Sequence, residues 1–273
     1  MKKLVTLFMI MALASITAKA VLAADTLAEV KKKGVLVVGC KDSLAPFGYI
    51  DEKTREIIGY DIDFVNAIAK KLGVKVELKP VTSATRMPQL QEGHIDIIAA
   101  TMTKNAERAK VIDFSHTYFF TGQKFITKKG SVKSLKDLEN KKIGTAKGST
   151  SEQNAKKALP TANIISYDDY PPAFLALQQG KVAAVTTDEA ILAGILGKAP
   201  KKLRGKFEIP NVQISDEPYG LGMRKDDKNF VDFVNNTLLE MEKSGEAKKI
   251  FDKWFGPKSD APLKRTFTIT ADK

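Results

Sequence analysis

Gly34-Val35-Leu36-Val37-Val38-Gly39 is a short apolar run between two glycines, the pattern of a strand buried on both faces of a parallel sheet. The residues after it set the fold class. Over residues 61–72, Ile62, Val65, Ile68, Ala69 and Leu72 recur on one helical face. A strand over 75–81, a short helix after Arg86, a strand over 96–100 and a helix over 105–111 complete a βαβαβ series with a parallel sheet. Residues 113–128, rich in Phe and Tyr, read as one long extended segment crossing to a second lobe.

A second series then repeats the first: strand 142–145, helix 151–159, strand 163–166, helix 172–179, strand 182–187, helix 189–196. A further extended stretch, 211–224, returns the chain to the first lobe, which amphipathic segments 228–244 and 246–254 close. The tail from Gly256 reads as polar and weakly held. The expected fold is therefore α/β, with two doubly wound lobes joined by a two-segment hinge. Lobe one takes residues 25–120 and 217–273, and lobe two takes 121–216. Such a pair of sheets opens a cleft at the carboxyl ends of the strands, where α/β proteins bind ligands.

Composition narrows the class. At 273 residues and 43% hydrophobic content, the chain can bury a core, and one or two packed α/β lobes are expected in place of a disordered chain. Lys2 and Lys3 precede the apolar run 4–16 and the small-residue sites Ala18-Lys19-Ala20 and Val21-Leu22-Ala23, so residues 1–24 read as a cleavable secretory signal. The run is shorter than the roughly 20 residues of a spanning helix, and no later segment reads as one. The mature chain is expected to be soluble and periplasmic. Losing Lys2, Lys3 and Lys19 leaves 41 basic against 32 acidic residues, a net +9. The lysines are scattered without interleaved aromatics, so a solvated basic surface fits better than a nucleic-acid or membrane face. The one cysteine, Cys40, excludes an internal disulfide and reads as a buried inert thiol.

Lys41, Arg86 and Arg108 each follow a predicted strand, and Asp188 alone among the acids holds an equivalent place. A cleft with that imbalance suits a small acidic molecule. The segments that carry these residues are Cys40-Lys41-Asp-Ser-Leu-Ala-Pro-Phe47-Gly-Tyr, Thr82-Ser83-Ala-Thr-Arg86, Thr101-Met-Thr103-Lys-Asn-Ala-Glu-Arg108, Lys147-Gly148-Ser149-Thr150-Ser151-Glu, Thr186-Thr187-Asp188-Glu189-Ala, Tyr219-Gly-Leu-Gly and Ser244-Gly-Glu-Ala. In that order, over essentially the whole mature chain, the sequence resembles the type II periplasmic solute-binding proteins (family 3) of amino-acid ABC transporters, and within them the glutamate/aspartate-binding members.

The resemblance implies that Arg108 grips the ligand α-carboxylate. A guanidinium suits that task with its planar paired donors, and an ion pair with Glu107 or Asp113 is the plainer alternative. Thr101 and Thr103 would accept the ammonium through their hydroxyls and meet the carboxylate with backbone donors. Ser149 and Thr150, preceding a predicted helix, would hold the carboxylate from lobe two, or simply cap the helix. Asp188 matches the acid that pairs with the ammonium, or else caps the next helix. Lys41 and Arg86, with Ser83 alongside, match the distal cationic positions that face an acidic side chain. The position of Tyr170 varies between His and Tyr among the relatives. Phe47 packs against the ligand backbone, or is a core aromatic. Tyr219 reads as a hinge residue without a ligand contact.

Charge counting gives the specificity. Arg108 and Asp188 neutralise a zwitterionic head group, so Lys41 and Arg86 are left as two cations that an acidic side chain satisfies and a basic one does not. The expected ligand is L-glutamate or L-aspartate, the expected partner an ABC permease, and the expected state a monomer without a cofactor. The rival from another class is a secreted cyclohexadienyl dehydratase-like enzyme on the same scaffold, which would need a further cleft acid with a raised pKa. The motifs give none, and His94 and His116 are badly placed as a catalytic pair. A binding protein for another polar amino acid is the remaining alternative.

Overall fold

Val35–Cys40 is the centre of a parallel trio in the computed structural model, which describes residues 25–271 and so leaves the expected export signal outside. Val35 lies opposite Lys75 of Lys75–Pro80 on one side, and Val38 opposite Ile97 of Ile97–Ala99 on the other. Leu36, Val38 and Cys40 are fully buried. Burial pushes the Cys40 thiol up to about 12, helped by the nearby Asp61 and Asp42 carboxylates. Gly222–Arg224 joins this sheet antiparallel to Ile97–Ala99, and Ile112–Phe114 lies beyond it, antiparallel to Gly222–Arg224.

The second sheet repeats the arrangement. Lys142–Ala146 lies between parallel Asn163–Tyr167 and Ala184–Asp188, and the long strand Phe119–Lys128 runs antiparallel beside the latter. In each lobe the first three strands thus stand in the spatial order second, first, third. That order places a switch point between the first and third strands, above their carboxyl ends, where adjoining connections leave toward opposite faces of the sheet. The predicted doubly wound lobes are present, each with antiparallel strands added at one side.

The extended stretches are each two strands. Phe119–Lys128 and Ser215–Tyr219 pair with each other in the second sheet, Tyr219 opposite Phe119, while Ile112–Phe114 and Gly222–Arg224 pair in the first, Phe114 opposite Gly222. The crossings therefore run side by side. They are rooted in an aromatic cluster in which Phe47 lies 5.0 Å from Phe119 and 5.6 Å from Tyr219, with Tyr60 and Phe255 around it. Burying each ring contributes about 1.5–3 kcal/mol, so the lobe-one end of the hinge is firmly held.

Helix Tyr60–Leu72 covers the first sheet with Ile62, Val65, Ile68 and Leu72 buried, as its periodicity requires, and Gly73 ends it at φ 73°. A small sheet of Ser43–Leu44, Gly48–Ile50 and Ile57–Ile58, and the helix Thr26–Lys33, were not foreseen. The tail corrects its reading as weakly held. Ala261 and Ile269 are buried, Arg265 pairs with Glu242, and Phe267 sits 5.4 Å from Phe119. Lys198 of lobe two is 3.0 Å from Asp260 of the tail, so the tail touches both lobes.

Candidate functional site

The residue after the central strand of the first sheet is Lys41, and its ammonium is buried with Ser83 Oγ at 3.4 Å. Arg86 opens the helix Arg86–Gln91 and turns its Nη1 to the carbonyl oxygens of Ala100 and Thr101, the latter at 3.2 Å, beyond the end of Ile97–Ala99. Its Nε is buried without a hydrogen-bond partner. Thr101 stands in the left-handed region at φ 49°, a costly place for a β-branched residue. The wholly buried Asp61 holds it there, accepting Thr101 N–H at 3.0 Å and the Tyr118 hydroxyl at 2.7 Å. Arg108 lies on the one-turn helix Ala106–Ala109 capped by Asn105, and donates through Nη1 to Thr103 O at 2.9 Å.

Lobe two answers from its own strand ends. Ser149 caps the helix Thr150–Ala158, accepting Glu152 N–H at 3.0 Å and donating to Ala146 O at 2.6 Å. The capping role anticipated for Ser149 is therefore real. Asp188 ends its strand and precedes the helix Glu189–Lys198, yet its side chain makes no capping bond. One carboxylate oxygen accepts the Tyr219 hydroxyl, and the other, Oδ1, is buried with no partner. Tyr170 is buried with its hydroxyl 3.3 Å from Ser151 Oγ.

The two halves meet. Thr103 and Thr150 hydroxyls are 3.4 Å apart across the lobes, and Lys41 Nζ is 3.1 Å from Asp169 Oδ2 of lobe two, which also accepts Ser43 Oγ at 3.2 Å. Gly148 and Gly194 of lobe two press on Ala84 and Ala45 of lobe one. The lobes are closed on each other. The structure so brings Lys41, Ser83, Arg86, Thr101, Thr103, Arg108, Ser149, Thr150, Tyr170 and Asp188 to the facing strand ends. Phe47 lies instead in the aromatic cluster, fully buried, the core alternative foreseen for it.

Two acids that the sequence reading did not see join the cluster. Asp169 pairs with Lys41, because the helix Tyr170–Gln178 that it caps points its N-terminus at lobe one. Glu217, on a crossing strand, accepts the Thr103 hydroxyl at 2.6 Å and the Thr150 hydroxyl at 3.0 Å. The statement that the cleft holds no acid beyond Asp188 is corrected, and with it the count of two surplus cations: Lys41 has a carboxylate partner and Arg86 has none among the described residues. Tyr219, read as a hinge residue, also touches Asp188 directly.

Burial dominates the electrostatics. It lifts the Asp188 carboxyl to about 8, with Glu217 repulsion added and the Tyr219 hydrogen bond opposing. Arg108 falls to about 9 through burial and the neighbouring Arg86, and so stays charged at neutral pH. Burial also lowers Lys41 and Arg86, while Asp169 supports the charge on Lys41. Buried groups held this far from ease are favoured by a small molecule carrying the opposite charges. Guanidinium donors on one side and a free carboxylate oxygen on the other suit a carboxylate and an ammonium on one molecule. Among the described residues no group of His, Cys, Asp and Glu could hold a metal ion, and no helix is long and apolar enough to cross a membrane.

Two α/β lobes closed over a polar cluster at their switch points define a solute-binding protein. The chain belongs to the bacterial extracellular solute-binding proteins, family 3, whose family model matches residues 36–257. It is 42% identical over 218 residues to the glutamine-binding protein of Geobacillus stearothermophilus, covering 78% of this chain and 81% of that one. With the glutamate/aspartate import solute-binding protein of Escherichia coli (strain K12) it shares 38% identity over 245 residues, 85% and 80% of the two chains. The crystal structure of the ancestral amino acid-binding protein AncCDT-1, a precursor of cyclohexadienyl dehydratase, superposes with a TM-score of 0.77 at 38% identity, over 84% of this chain and 99% of that one.

Proposed function

We propose that the chain is the periplasmic substrate-binding component of an amino-acid ABC importer, that its ligand is an acidic amino acid, glutamate or aspartate, and that it works as a monomer. The observation that carries the acidic preference is Arg86, 2% exposed, with an unpartnered Nε and only carbonyl oxygens against its Nη1. A buried guanidinium without a carboxylate is costly, and a ligand side-chain carboxylate relieves it. Arg108 and the backbone near Thr103 then hold the α-carboxylate, and Asp188 Oδ1 receives the ammonium. The open form admits the ligand to one lobe, the other closes over it, and a permease recognises the closed shape. Asp188 serves recognition here, and relatives of this family bind solutes, so no catalytic step is assigned to it.

Glutamine is the second reading. It is favoured by Asp169, which already supplies Lys41 with a carboxylate, and is the ligand named for the Geobacillus relative. Calorimetry over the amino acids separates the two, and tightest binding of glutamine, arginine or another ligand without an acidic side chain overturns the acidic assignment. Arg86→Met should weaken glutamate or aspartate by about 2–5 kcal/mol and the corresponding amide by clearly less. Lys41→Met should show a smaller difference of the same sign, because Asp169 shares that charge. Equal losses for acid and amide would remove the role of Arg86.

Proton release gives an independent check. An ammonium favours ionised Asp188, whose carboxyl sits at about 8 while empty, so binding at pH 7 should release a proton. Because this carboxyl is raised in the fold, its contribution to stability is full below its unfolded pKa near 4 and is lost as pH rises toward 8. Affinity should correspondingly increase from pH 6 to 8. Calorimetry in buffers of different ionisation enthalpy measures the release, and an Asp188→Asn chain that still releases it would count against this pairing.

A further inference from the structure

Glu217 sits where the two crossings run together, 1% exposed, and all of its capacity is taken by donors. Oε2 accepts Thr103 Oγ1 of lobe one at 2.6 Å and Thr150 Oγ1 of lobe two at 3.0 Å. Oε1 accepts Ser215 Oγ at 2.6 Å and Asn154 Nδ2 at 2.9 Å. Ser215, Glu217 and Tyr219 alternate along one strand and so share a face. Tyr219 reaches Asp188, which sets Glu217 and Asp188 on the same side of the cluster.

A hydroxyl has one hydrogen and two lone pairs. Thr103 and Thr150 both direct that hydrogen to Glu217, so what each can still offer is an acceptor. The direction is fixed from behind. The Ser151 carbonyl can only accept, so the Gln123 amino group faces it at 3.0 Å. Gln123 Oε1 therefore faces Asn154 Nδ2 at 3.0 Å, and that same amino group points at Glu217. Asn154 thus requires an acceptor on its side of residue 217, and the second carboxylate oxygen gives both threonine hydroxyls an acceptor as well.

We propose that Glu217 is a specificity-determining residue that acts through Thr103: it holds the Thr103 hydroxyl as an acceptor for the ligand α-ammonium, and selects α-amino acids over analogues that offer no donor there. It is a positioning residue, fastening one hydroxyl from each lobe to the crossing strand in the closed form. The inference rests on the reading of the cleft as an α-amino-acid site.

The test is Glu217→Gln in the full chain. Asn154 draws the amide oxygen to its own side, which leaves the amide NH2 facing Thr103 and Thr150. Both hydroxyls must then accept from it and turn their hydrogens toward the ligand. Affinity for the amino acid that binds tightest should fall about thirtyfold, as expected for a charge-assisted acceptor turned into a donor. Thr103→Val should lose a similar factor, and adding Glu217→Gln to it should change affinity less than threefold, because the route through the hydroxyl is already gone. Factors that multiply, or a Glu217→Gln chain with wild-type affinity, overturn the inference. Should the amide variant fail to fold, Thr103→Ser against Thr103→Val decides: the serine keeps affinity within threefold while the valine loses it, and equal losses overturn the proposal. A wild-type chain that binds no amino acid overturns the site reading itself, whereas multiplicative losses with a binding wild type sink only the role of Glu217.

Discussion

Arg108→Met weakens binding of every amino acid the wild-type chain takes, by about 3–5 kcal/mol or a factor of roughly 150 to 5,000. Arg108 is 8% exposed and its guanidinium is anchored by Thr103 O at 2.9 Å, so its remaining donors are set in place before the ligand arrives. Methionine fills the volume but offers a carboxylate nothing, and it withdraws a positive charge that partly offsets the burial of Asp188 and eases its ionisation when an ammonium binds. Lysine is no substitute, since a single ammonium cannot form the paired bonds to a carboxylate. The change differs in kind from Arg86→Met, which discriminates between ligand side chains. Here acid and amide should suffer alike, because the α-carboxylate is common to both. Calorimetry, together with loss of the ligand-induced rise in melting temperature, reports the effect. An Arg108→Met chain that binds within threefold of wild type would show that the head group is held elsewhere.

Gly194→Ala should lower affinity by about 100-fold, or ~3 kcal/mol, while leaving the unliganded fold as stable as before or slightly more so. A Cβ built on Gly194 lies 1.9 Å from Ala45 O and 2.7 Å from Ala45 C. Those atoms are backbone, so they cannot swing away as the end of a long side chain would. Gly194 is on the lobe-two helix Glu189–Lys198, and Ala45 is on the lobe-one turn after Ser43–Leu44. The overlap exists only while the lobes are together. Alanine inside a helix favours folding by up to about 1 kcal/mol over glycine, so stability and affinity should move in opposite directions. That opposition separates an obstructed closure from general damage. Unchanged affinity, with scattering showing the liganded form as compact as the wild type, would mean that ligand is held without this lobe contact.

The fold was legible because its signals are local. Glycine-bounded apolar runs marked the central strands, and the helical period over residues 61–72 marked the layer upon them. The repeat of the first series in the second then implied two lobes with facing strand ends, which are where the cationic positions and Asp188 now lie. The parts that escaped depend on pairs distant in the chain. Asp169 meets Lys41 across 128 positions and Glu217 meets Thr103 across 114, so a count of charges by motif could not include them. For Glu217 one signal was present, the alternation of Ser215, Glu217 and Tyr219 in a stretch read as extended. In the tail, Ala261 and Ile269 are single apolar residues among polar neighbours. They bury by joining the core cluster that holds Phe47, Tyr60 and Phe255, which composition alone does not reveal.

The sole thiol of the chain offers a practical handle by its inertness. Cys40 is fully enclosed, and with its ionisation displaced to about 12 it presents almost no thiolate at physiological pH. Maleimide dyes will pass it by. Two cysteines introduced on the solvent faces of opposite lobes can therefore be labelled without first removing a native one, and fluorescence energy transfer between the dyes would turn the molecule into a gauge of solute concentration.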